Sequence, residues 1–133
     1  MNIRDATEAD VEAVASLGEL STDAVQTLLH DRTLWVATSG DKLTGFLVFT
    51  INQDAVHISK LGGEKPVISA LIGRLIEYAN ANGLPIETVV PNSETAVRDA
   101  LSAAGFIRIQ SGPEFLGQAT HTYQFTTSQN DEG

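Results

Sequence analysis

Two spacings of apolar residues alternate along the chain, and they divide it into elements. Ile3 sits in a short opening strand, and Thr7 with Asp10 forms a Thr-x-x-Asp pattern that caps a helix carrying Val11, Val14 and Leu17 on one side. Val25, Leu28 and Leu29 mark a second short helix over residues 22–30, with Ser21 as its cap. Residues 33–39 and 43–51 are rich in β-branched and aromatic side chains. The Ser39-Gly40-Asp41-Lys42 run between them predicts a hairpin. After the turn at Asn52-Gln53-Asp54, Val56 and Ile58 alternate with His57 and Ser59, which predicts a third strand of the meander over residues 55–61.

The longest helix is predicted over residues 66–82, because Ile68, Leu71, Ile72, Leu75, Ile76 and Ala79 fall at helical spacing. Pro66 suits its first position and Gly83 the position just past its end. Residues 86–90 predict a short strand buried on both sides. A helix over 93–104 follows, with Val97, Ala100, Leu101 and Ala104 inward and Gly105 as its stop. Residues 106–109 and 120–125 predict two closing strands around a loop holding Gly112, Pro113 and Gly117. One domain is expected over residues 1–126, and the polar residues 127–133 are expected to form a disordered tail. The order β-α-α-β-β-β-α-β-α-β-β belongs to a mixed α/β (α+β) class with a mostly antiparallel sheet. A right-handed crossover through the longest helix would make strands four and five its parallel pair.

Composition narrows the functions this fold can serve. Seventeen acidic residues face eight basic ones, for a net charge of −9, and only Lys42, Lys60 and Lys65 are lysines. Generic nucleic-acid binding draws its affinity from Lys and Arg at phosphates, so no nucleic-acid partner is expected. Scarce lysine with excess carboxylate suits a salt-rich, halophilic-type cytoplasm, where screening removes self-repulsion. The chain has no cysteine, which excludes disulfides, thiolate metal sites and cysteine nucleophiles. No stretch reaches the roughly 20 apolar residues of a membrane helix. Residues 1–10 lack the apolar core of a targeting peptide, so a cytoplasmic location away from membranes is expected. The three histidines, His30, His57 and His121, are scattered and predict no metal site.

Three local runs carry a family likeness. Ile3-Arg4-Asp5-Ala6-Thr7 followed by Asp10, Ser69-Ala70-Leu71-Ile72 inside the longest helix, and Ala104-Gly105-Phe106 after the last one sit on this element order. Together they resemble the GNAT superfamily of acyl-CoA-dependent N-acyltransferases over about residues 2–126. The resemblance implies a loop of pattern Arg/Gln-x-x-Gly-x-Gly/Ala after the fourth strand, whose amides and helix N-terminus hold the diphosphate of coenzyme A. A helix dipole and exposed N–H groups attract phosphate, and glycines let it approach the backbone. Carried onto this chain, the acetyl-CoA site would comprise Lys60, Leu61, Gly62, Gly63, Lys65, Val67 and Ile68, with Gly62-Gly63 as the turn that opens the helix. Aligned on Ser69-Ala70-Leu71-Ile72, Gly63 takes the Arg/Gln place, Pro66 the first glycine and Ile68 the Gly/Ala. If Lys60 takes the Arg/Gln place instead, Gly63 is the first glycine and Lys65 stands at the second. Lys60, Lys65 and Arg74 favour an anion there, and Glu64 competes with it.

The resemblance also implies a tyrosine general acid on the last helix, at a position occupied here by Leu101. Tyr78 lies on another element, and Tyr123 reads as a strand residue with a half-buried ring. His57 is the candidate general base, since imidazole titrates near neutral pH. Its other reading is a plain strand position, while His30 reads as a favourable charge at a helix end and His121 as a strand surface residue. Acceptor specificity would come from the first two helices and residues 112–117, where Phe115 lines a pocket or anchors the loop. Three functions remain open, the first two being an acetyl-CoA-dependent N-acetyltransferase acting on a small-molecule amine, and a non-catalytic module that has lost acyl-CoA binding and binds a protein or forms a homodimer. A small-molecule sensor with an anion site but no chemistry is the third.

Overall fold

A computed structural model describes residues 2–31, 34–51, 54–91, 93–111 and 120–126. The expected loop at 112–117 and the expected tail at 127–133 lie outside the described residues. The chain runs β1 (Asn2–Asp5), a 3-10 turn (Glu8–Asp10), α1 (Val11–Gly18), α2 (Thr22–Asp31), β2 (Leu34–Ser39), β3 (Lys42–Ile51), β4 (Val56–Gly63) and α3 (Lys65–Asn82). It continues with β5 (Ile86–Pro91), α4 (Thr95–Ala103), β6 (Ile107–Ser111) and β7 (Thr120–Phe125). This is the expected order. The strands form a seven-stranded sheet, β1-β2-β3-β4-β5-β7-β6, in which β4 and β5 are the parallel pair and the other neighbours are antiparallel.

Local chemistry accounts for the boundaries. Gly40 takes φ +63° in the β2–β3 hairpin, and Gly83 ends α3 in the left-handed region that a residue without Cβ adopts freely. The Thr7–Asp10 pattern closes on itself. The Thr7 N–H donates to the Asp10 carboxylate at 2.7 Å, and the Asp10 N–H donates to the Thr7 carbonyl at 2.9 Å. Arg4 adds a fork of two bonds to the same carboxylate, at 2.8 and 3.1 Å, and so ties β1 to the start of α1. These bonds, Arg4's first among them, hold the buried Asp10 below the usual carboxylate range.

Packing divides by sheet face. On one face Leu47, Phe49, Val56, Ile58, Ile86 and Val90 meet the buried stripes of α3 and α4, including Leu71, Ile72, Leu75, Ala100 and Leu101. On the other, Leu34, Val36, Phe46 and Val48 meet Val11, Val14 and Ala15 of α1 and Val25 of α2. That second cluster draws on β2 and β3 but on none of β5, β6 or β7.

Four expectations change. Leu17 is 43% exposed, so α1 buries a narrower stripe than its spacing suggested. Val89 is 50% exposed because no helix among the described residues covers its side of β5, so this strand is not buried on both sides. Tyr123 is buried, not half-buried. Gly62 and Gly63 do not form a turn: they are the last residues of β4, paired with Phe46 and Gly45, and Glu64 alone links the strand to α3. Among the described residues no helix is long and apolar enough to cross a membrane, and no group of three or more His, Asp or Glu could hold a metal ion.

Candidate active site

The parallel pair is short. Val56, His57 and Ile58 match Ile86, Glu87 and Thr88, and the Thr88 hydroxyl donates to the Ile58 carbonyl at 3.1 Å where the pairing stops. Immediately beyond, the register against β3 passes from Phe49 opposite Ile58 to Val48 opposite Lys60, which leaves Ser59 as the extra residue of a β-bulge. From there β4 pairs only with β3, and β5 only with β7. The strands part around a cleft of about 460 Å³. Ser59, Lys60 and Leu61 line one wall, Thr88 to Pro91 the other, and Glu94, Val97 and Thr120 complete it. Its size is within the range of small-ligand sites, and its walls are two strand edges whose facing sides have no strand neighbour among the described residues.

The residues expected at a cofactor loop separate into two groups. Lys60 and Leu61 line the cleft; Gly62, Gly63, Lys65, Val67 and Ile68 do not. Gly62 makes room for a ring, because a Cβ there would stand 2.2 Å from Cε1 of the fully buried Phe46. Gly63 has φ +127°, and a Cβ there would meet the Thr44 carbonyl at 2.8 Å. Val67 sits over the strand, its Cγ1 2.4 Å from where a Gly45 Cβ would lie and 3.2 Å from that of Gly63. Ile68 is buried in the core beneath α3. The Val67 and Ile68 N–H groups both donate to the Glu64 carbonyl at 2.9 Å, and Lys65 Nζ lies 3.6 Å from Asp99 Oδ2.

The candidate catalytic residues also divide. His57 alternates with Val56 and Ile58, so its side chain is on the face away from α3, where it is 42% exposed. Its Nε2 is 3.7 Å from Glu87 Oε1, and the other Glu87 oxygen accepts from Gln124 Nε2 at 3.1 Å. This row crosses β4, β5 and β7 one step before the strands part. Leu101 is fully buried in the α4 core. Tyr78 packs with Trp35 and Phe49, and Tyr123 pairs across the sheet with Thr88 and accepts from Arg98 Nε at 3.4 Å. Sequence reasoning missed Ser59, Thr88, Glu94 and Thr120 in the cleft. A bulge leaves no mark in composition, whereas Glu94, the N-cap of α4, could have been found from the helix boundary.

No protein-family model and no curated protein matches the sequence. Solved structures do. Ard1 from Thermoplasma volcanium superposes with a TM-score of 0.82 at 16% identity, over 95% of this chain and 97% of its own. An acetyltransferase of the GNAT family from Bacillus cereus gives 0.79 at 14%, over 95% and 96%. This chain has the GNAT fold. A further GNAT-fold neighbour is YncA from Salmonella typhimurium, a putative acetyltransferase whose structure contains its cofactor acetyl-CoA. It gives a TM-score of 0.79 at 18% identity, over 94% of this chain and 92% of its own.

Proposed function

We propose that this chain is an N-acyltransferase that transfers an acyl group, acetyl in the simplest case, from a coenzyme A-type thioester to an amine. The observation that carries the reading is the open gap between β4 and β5, on a fold shared with acetyltransferases. In such a transfer the amine nitrogen bonds to the acyl carbon, the carbon–sulfur bond breaks, the amine loses a proton and the departing thiolate gains one. The strand edges past Ile58 would hydrogen-bond the donor and fix its thioester, and Leu61, Val90 and Val97 would keep water from it. His57 is the residue proposed to take the amine's proton, with Glu87 beside it to orient the ring. No tyrosine lines the cleft among the described residues, so positioning supplies most of the rate.

One observation favours the second reading, a binding or self-association module: Leu101 stands buried where a general acid would be, while Val89 and Ile107 are exposed at 50% and 66%. Titration with acetyl-CoA in salt, followed by backbone amide shifts, separates the two. Shifts at Leu61 and Val89 are expected; their absence at about millimolar ligand would sink the acyl-transfer reading.

A further inference from the structure

We infer that this site grips its acyl donor by the pantetheine thioester arm, with the nucleotide end of coenzyme A adding little; the inference rests on the acyl-transfer reading above. Coenzyme A has two unlike ends. One is an uncharged arm containing two amides, and the other carries a diphosphate and a ribose phosphate. The cleft and the entrance to α3 suit them unequally.

The cleft meets the needs of the arm. Beyond Ile58 and Thr88 the facing sides of β4 and β5 have no strand neighbour among the described residues, so an extended amide-bearing chain can take up N–H and C=O groups there as far as Val90; Pro91 has no N–H, and its carbonyl accepts from the Glu94 N–H at 3.0 Å. Leu61, Val90 and Val97 flank it with hydrocarbon.

The entrance to α3 does not meet the needs of the phosphates. A phosphate at a helix N-terminus is held by first-turn N–H groups that the helix itself leaves unused. Here Pro66, at the second position, has none, and the Val67 N–H is taken by the Glu64 carbonyl at 2.9 Å. Of the first three positions, only Lys65 can present one. Glu64 sets a carboxylate at the N-cap, and Lys65 Nζ lies 3.6 Å from Asp99. Nor do the glycines leave a hollow, since Val67 fills the space above Gly63 and Gly45. A net charge of −9 opposes a polyanion at low ionic strength and leaves an uncharged arm unaffected.

The test is calorimetric titration of the full chain with acetyl-CoA and with S-acetylpantetheine, in about 0.1 M and about 2 M KCl. Dissociation constants within about tenfold of each other in both salts are expected. Acetyl-CoA binding tighter than that in either salt overturns this inference alone. Failure of both ligands to bind defeats the acyl-transfer reading and this inference with it. Pro66→Ala, which returns one N–H to the helix entrance, should tighten acetyl-CoA and leave S-acetylpantetheine unchanged. An equal effect on both, or on neither, counts against the inference.

Discussion

Where β2 and β3 run, the sheet is covered on both faces; where β5, β7 and β6 run, α4 covers one face and the other carries the exposed Val89 and Ile107. The covered part is interlocked. Phe46 occupies the space above Gly62 and also approaches Gly18, where a Cβ would stand 2.7 Å from its ring. The two parts meet through three residue pairs of β4 and β5, and the cleft opens just past the last of them. The cleft thus lies at the seam between a closely packed region and a half-covered one, because there neither strand is obliged to follow the other.

Filling the packed side should cost most. Gly62→Ala sets a methyl against a ring that has nowhere to go and is expected to destabilise the fold by about 3 kcal/mol. An unchanged urea midpoint would mean that Phe46 is not locked and that the packed region is softer than described. Asp10→Asn should cost about 1–2 kcal/mol at neutral pH, through the Arg4 and Thr7 bonds. The folded-state pKa of Asp10 lies below its unfolded value, so its contribution is complete above the unfolded value and lost as pH falls through the folded one. The stability gap between wild type and variant should therefore narrow below about pH 4. A gap that widened on acidification would contradict the assignment. The smallest effect is expected at the seam: Thr88→Val removes the bond to Ile58 and should cost about 1 kcal/mol. It should speed amide exchange around Ile58 without changing exchange at Phe46; equal acceleration at both would erase the distinction between the two regions.

Much of this was legible in the sequence, and the parts that were not share a cause. Element order, the Gly40 hairpin, the Gly83 cap and the parallel pair followed from period, turn residues and crossover handedness. What failed depended on partners distant in sequence. Gly62 and Gly63 read as a turn because nothing nearby says that they pair with Phe46 and Gly45 of β3. Val89 read as buried because an apolar run does not reveal whether a helix covers its second face. For the site, Lys60 and Leu61 lie in the cleft wall, on a strand whose alternation was legible, whereas the bulge at Ser59 beside them is one extra residue of ordinary type.

The three-pair joint also bears on how the chain finds its shape. The hairpin at Gly40 brings together strands that are neighbours in sequence, whereas β4 and β5 can meet only after the whole of α3 has been folded back between them. Closing that longer circuit confines more of the chain and is rewarded by few ladder bonds, so the meander and the helix should assemble first and the joint last. By the same reasoning, it is the place where the native sheet would begin to come apart.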